Sequence, residues 1–167
     1  MKTRIPVLLI ALTVAGCAPY VNIPPQAGDL ANHNPNNRNV LNVESKAVRA
    51  VAEDFGLAEP FAVEPLADTT AHNHLTLMPR IGELATAENV EGLATISVRK
   101  VYIRGAKANV SMVYTPARAE EGRRFVTVDL RREAFRGWTA NLVKAWRFEV
   151  ERALIDPETN SAVVVNP

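Results

Sequence analysis

The stretch ATISVRKVYIRGAKANVSMVYTP, residues 94–116, decides the fold. Ala94, Ile96 and Val98 alternate with Thr95, Ser97 and Arg99, and Val101 and Ile103 then resume the two-residue period on the other parity. That pattern predicts a half-buried strand with a bulge near Arg99 or Lys100. Arg104-Gly105 supplies a turn, after which Ala108, Val110, Met112 and Tyr114 line one side of a second strand that Pro116 ends. Further along, Val126, Val128 and Leu130 alternate with Phe125, Thr127 and Asp129 in a third strand over 125–131. Past Gly137, Trp138, Ala140 and Leu142 keep the same period, and Trp146, Phe148 and Val150 take it up again after a bend near Lys144 or Ala145.

A meander of this kind leaves an apolar face that something must cover. Ala47, Val48, Val51, Ala52 and Phe55 recur at helical spacing, with Asn42 or Ser45 to cap the start and Gly56 to end the last turn, so a helix is expected over 44–55. Pro60 and Pro65 bracket Phe61, Ala62 and Val63 and predict a loop or a short edge segment there. The expected fold class is therefore α+β, with one N-terminal amphipathic helix packed on a curved antiparallel sheet and no crossover helices of the parallel α/β kind. The helix-then-bent-sheet order ending in the Gly137-Trp138 strand resembles nuclear-transport-factor-like domains, although a small β-roll or partial sandwich also fits.

The first residues are an address rather than part of this fold. Lys2 and Arg4 precede an apolar run from Ile5 to Ala15, too short for an ordinary transmembrane helix of about 20 residues, and Gly16-Cys17 follows. Basic start, apolar core and the Val14-Ala15-Gly16-Cys17 box together resemble the signal of bacterial lipoproteins. The resemblance implies cleavage after residue 16 and acylation of Cys17 by a diacylglycerol and commonly a further chain. Several acyl chains hold a protein durably where one is reversible. Ala18, in the place where an Asp would signal inner-membrane retention in that family, implies an outer-membrane anchor facing the periplasm. The alternative is an ordinary secretory signal cut elsewhere. Removing residues 1–16 takes Lys2 and Arg4 and leaves 17 basic against 18 acidic side chains in 151 residues.

Between anchor and fold, Pro19, Pro24, Pro25 and Pro35, Gly28 and a concentration of Asn from 32 to 39 predict an extended or irregular lead that holds the domain off the bilayer. Tyr20, Val21 and Ile23 could instead form a short docking segment. The expected organisation is a signal peptide at 1–16, a lipidated cysteine and flexible tether at 17–40, an α+β domain at 41–156 and an extended tail at 157–167, whose Ala162 to Val165 run could pair with the sheet or a partner.

Composition narrows the function. The 167 residues carry 19 Lys and Arg against 18 Asp and Glu, which gives no overall case for nucleic acid. A single cysteine excludes an intramolecular disulfide framework and a four-cysteine metal site. His72 and His74 would share a face of an extended segment, yet Glu83 and Glu88 complete no ligand set, so no metal is expected. Ser45, Ser97, Ser111 and Ser161 sit in no nucleophile elbow, Gly105 and Gly122 cradle no phosphate, and no carboxylate pair divides acid from base. No catalytic residue and no cofactor is expected, and the chain is read as not an enzyme.

Two groups remain as binding candidates. Arg118, Arg123, Arg124, Arg131, Arg132 and Arg136 form the densest basic region, able to meet phosphorylated lipid, acidic glycan or acidic protein, though Glu120, Glu121, Asp129 and Glu133 interrupt it. Trp138 and Trp146 suit core packing better than ligand contact. The expected function is that of a membrane-anchored, noncatalytic lipoprotein in envelope protein assembly or binding, with lipid held through Cys17 and an envelope protein as partner. The alternative is a small-ligand or acidic-ligand carrier with a cavity between Trp138, Met112 and the helix.

Overall fold

The computed structural model describes residues 20–88, 92–118 and 122–147. Strand β1 (Tyr20–Ile23) leads to helix α1 (Arg38–Asp54), strand β2 (Phe61–Glu64), helix α2 (Ala71–Ile81) and the short strand β3 (Ala85–Thr86). Four long strands follow, β4 (Ala94–Arg104), β5 (Lys107–Thr115), β6 (Arg124–Glu133) and β7 (Gly137–Arg147). They form a single sheet in the order β3-β2-β4-β5-β6-β7, with β1 paired to β4 as well.

The long hairpins follow from their alternation. Val110, Met112 and Tyr114 of β5 and Val126, Val128 and Leu130 of β6 are buried on one face. The register skips Arg99 between Val98 and Lys100, so a bulge returns Val101 and Ile103 to the core side, where the sequence pattern requires it. Gly105 has φ of 60° and Ala106 does not share the positive sign, which turns β4 into β5 with Arg104 opposite Lys107. A second bulge falls at Asn141, between the Leu142 and Ala140 pairings, rather than at 144 or 145. It sends Leu142 and Trp146 to the opposite face from Trp138.

The expectation of one helix on a curved antiparallel sheet is corrected in three respects: two helices are present, the sheet is mixed, and it neither closes nor curls strongly. β2 runs parallel to both β3 and β4. Phe61, Ala62 and Val63 are buried on both faces, as in an interior parallel strand, which is why they show no alternation. The parallel β2 to β3 step needs a crossover, and α2 supplies it. α2 is capped by Thr70, whose side chain accepts from the Asn73 N–H, and it buries Leu77, Met78 and Ile81 although Pro79 sits in its last turn.

Residues 20–40 are built into the domain rather than trailing from it. β1 pairs Tyr20 with Arg104 through Ile23 with Val101, and Val21 and Ile23 are buried. β1 thus takes the end of the β4 edge that β2, paired at Ala94 to Ser97, leaves open. The asparagines make successive side-chain turns: Asn32 Oδ1 accepts from the Asn34 N–H, Asn34 Oδ1 from Asn36, and Asn37 Oδ1 from Asn39 as the helix cap. α1 therefore begins at Arg38, well before 44, and buries Val40, Leu41 and Val43 along with the expected Ala47, Val48 and Val51. Residues 1–16, expected to be a signal peptide, Cys17, the Phe148 and Val150 positions and the expected tail 157–167 lie outside the described residues.

One buried charge stands out. Glu44 is fully buried on α1, its Oε1 accepting from the Leu66 N–H at 3.1 Å and its Oε2 without a partner. Burial pushes its carboxyl up to about 7, against the smaller opposing pull of the Leu66 hydrogen bond.

Candidate functional site

Asn39, Asn42 and Lys46 recur at i, i+3 and i+7 and so share one face of α1. Beside them the last turn of α2 presents Arg80, and the β6–β7 hairpin presents Arg132, Arg136, Gly137 and Trp138. Together with Ser45 they line a cleft of about 400 Å³.

Each wall is fixed by local chemistry. Trp138 faces inward, and its indole N–H donates to Asn39 Oδ1 at 2.8 Å, which joins β7 to the first turn of α1. Gly137, at φ of 74°, closes the hairpin turn with Arg132 opposite Trp138. The Arg132 N–H reaches the Ala106 carbonyl at 2.8 Å, tying this hairpin to the β4–β5 turn. Arg49 donates to the carbonyls of Ile81 and Arg80, both at 2.7 Å, and so satisfies the orphan end of α2. The Arg80 side chain is then turned toward α1, where it donates to Asn42 Oδ1 at 3.2 Å.

Lys46, Arg80, Arg132 and Arg136 bring four cations to this cleft, and among the described residues no carboxylate lines it. The nearby Glu133 accepts from Thr139 Oγ1 at 3.3 Å. All four cations are exposed, so water screens each of them. A unit anion about 4 Å away gains from about 1 kcal/mol per cation in bulk water to about 4 kcal/mol at a surface dielectric near 20. Guanidinium forks, a lysine and an asparagine amide are groups that hold a multidentate anion. The lining offers no nucleophile beside a base: Ser45 is buried, and its Oγ donates to the Asn42 carbonyl at 3.1 Å.

The arginine group read from the sequence is divided by the fold. Arg132 and Arg136 enter the cleft, whereas Arg124 lies at the far end of β6, 5.3 Å from the Phe55 ring centroid, and Arg118 lines another cleft beside Tyr114. β6 separates the two ends by about 30 Å. Lys46 and Arg80 were not legible as site residues; nothing in the sequence marks two isolated cations on separate helices as neighbours.

The remaining candidates fall elsewhere. His72 and His74 are on helix α2, not in an extended segment, so two-residue spacing sends them to different sides. His74 Nε2 lies 2.8 Å from the Val63 carbonyl. Among the described residues no group of three His, Cys, Asp or Glu could hold a metal. Met112 and Trp138 are both buried members of the hydrophobic core, and Trp138 also lines the basic cleft. Trp146 is 55% exposed and Leu142 45% exposed on the opposite face of the sheet. Cys17 and Ser161 lie outside the described residues. Compared with protein-family models, curated proteins and solved structures, the chain matches none.

Proposed function

We propose that this chain is a lipid-anchored, noncatalytic protein of the bacterial envelope, held in the outer membrane through Cys17, that works by binding an anionic group at the basic cleft. The observation that carries the reading is the convergence of Lys46, Arg80, Arg132 and Arg136 on one cleft whose described lining holds no carboxylate. The Gly16-Cys17 box supports the anchor. The basic lining supports the acidic-ligand form of the carrier alternative.

Binding is tested with the mature chain, using inorganic pyrophosphate as the probe and Trp138 fluorescence or calorimetry as the readout. The Arg132→Gln, Arg136→Gln double variant should weaken pyrophosphate at least tenfold, while Lys144→Gln, away from the cleft, should leave it unchanged. Equal binding by all three chains would discard the cleft as the site. Peptide mass spectrometry from native membranes tests the anchor, the expected fragment starting at an acylated Cys17.

A second reading, assembly with another envelope protein, is favoured by β7. Among the described residues its outer edge pairs with no strand, and Leu142 and Trp146 are exposed on it. A photo-crosslinker at position 142 should then trap one defined envelope protein in cells.

A further inference from the structure

We propose that the end of the domain where β1 begins seats on the anionic phospholipid headgroups of the bilayer that holds the protein's own anchor, with Phe135 entering the interface. The inference deepens the binding reading above and rests on acylation of Cys17.

Chain length fixes the approach. Only Ala18 and Pro19 separate Cys17 from Tyr20, and Tyr20 is paired into the sheet opposite Arg104. Three residues reach at most about 11 Å. An acylated Cys17 therefore brings the Tyr20 end of the sheet to within about 11 Å of the residue that carries the acyl chains, little more than the depth of a headgroup layer of about 5–8 Å.

Strand register shows what else that end carries. Tyr20 is opposite Arg104, Arg104 opposite Lys107, Lys107 opposite Arg131, and Arg131 opposite Thr139, so one transverse row runs from β1 to β7. Its three cations are all exposed. The β6–β7 turn extends the row with Arg132 and Arg136, and the cleft adds Lys46 and Arg80. Among the described residues this end also carries Asp29, which accepts from the Asn22 amide at 2.6 Å and from the Ala31 N–H at 3.0 Å, and Glu133, which accepts from Thr139; both are negative charges that the cations outnumber. A membrane surface bearing anionic lipid raises the partition of a nearby Lys or Arg by roughly fivefold each.

The same end exposes apolar and aromatic groups. Phe135 is 102% exposed in the hairpin turn between Arg132 and Arg136. Tyr20 is 41% exposed and meets Tyr102 edge to face at 5.7 Å. Leu30 is 99% exposed, two residues before Asn32, whose N–H meets the Tyr20 carbonyl at 3.0 Å. Aromatic side chains among cations are the side-chain chemistry of a bilayer interface. The wholly exposed Phe135 lies on the side to which the anchor leads, and partition into vesicles separates insertion there from an aromatic contact with an acidic protein.

The test uses the mature chain with Cys17→Ser, so that affinity is read without the acyl chains. In sedimentation with vesicles, 30% phosphatidylglycerol in phosphatidylcholine should bind it at least tenfold more tightly than phosphatidylcholine alone. Phe135→Ala and the Arg131→Gln, Arg136→Gln pair should each cost at least fivefold. Phe135→Trp should shift its emission to the blue on the anionic vesicles and be quenched by brominated acyl chains, whereas Leu142→Trp should not. Equal partition into both vesicles, or an unquenched Phe135→Trp, overturns the proposal. If pyrophosphate still binds the cleft in that case, the anion-binding reading stands and the partner is an acidic protein or a soluble anion. An unacylated Cys17 in native membranes overturns the orientation together with the anchor.

Discussion

Glu44 is the residue at which the core is least at ease. Its carboxyl is fully buried with one oxygen unpartnered, and burial raises it from the ordinary value of 4.5 to about 7. Because the folded state then holds a proton that the unfolded chain gives up, Glu44 favours folding fully below about pH 4.5. That contribution is lost as pH rises through about 7. A shift of this size corresponds to roughly 3 kcal/mol. Glu44→Gln keeps an oxygen for the Leu66 N–H and carries no charge. The variant should melt several degrees above the parent at pH 8 and close to it at pH 5, as thermal unfolding across that range would show. A parent Tm that rises steadily from pH 5 to pH 8, with Glu44→Gln following it, would contradict the assignment.

At the scale of elements, what was legible depended on whether the signal was local. The β4–β5 hairpin and its bulge at Arg99 could be read because each residue of the alternation declares its own face and Gly105 marks the turn. β2 could not, since a short interior strand buried on both sides has no period to show. The start of α1 was hidden by its asparagines, which have the composition of a loop and here build the turns that launch the helix. α2 was hidden by Pro79, although the Thr70 cap, the Leu77-Met78-Ile81 spacing and Gly82 were present. Half of the basic cleft, Arg132 and Arg136, stood out by density, while Lys46 and Arg80 depend on helix packing that no local pattern encodes. Asn36 joins these elements: its amide donates to the Asp68 carbonyl, and its Oδ1 accepts from the Thr70 N–H and the Asn73 amide, at 2.9–3.0 Å. Asn36→Ala should therefore cost about 2 kcal/mol, against about 1 kcal/mol for loss of the Thr70 cap in Thr70→Ala. Urea midpoints that reversed this order would remove Asn36 as the joint between the two helices.

For the molecule as a whole, the placement of β1 decides whether residues 20–36 are a detachable lead or part of the fold itself. β4 is long enough to serve two neighbours on one edge, with β2 at Ala94 to Ser97 and β1 at Val101 to Arg104. Deleting residues through 36 would strip the second neighbour and uncover core side chains beneath Val21 and Ile23, both nearly fully buried. Burial of two such side chains is worth about 3–6 kcal/mol, a large part of the 5–15 kcal/mol typical of a domain. A chain starting at Asn37 should therefore lose at least about 6 °C in Tm or fail to fold, at the rough scale of 2–4 °C per kcal/mol. Inserting six Gly and Ser residues between Pro19 and Tyr20 should leave Tm unchanged, because no described pairing spans that point. The two changes separate what a detachable tether would leave together. A truncated chain as stable as the parent would make 20–36 a dispensable lead. An unstable truncation beside a stable insertion would make β1 a structural strand, only two residues along the sequence from Cys17.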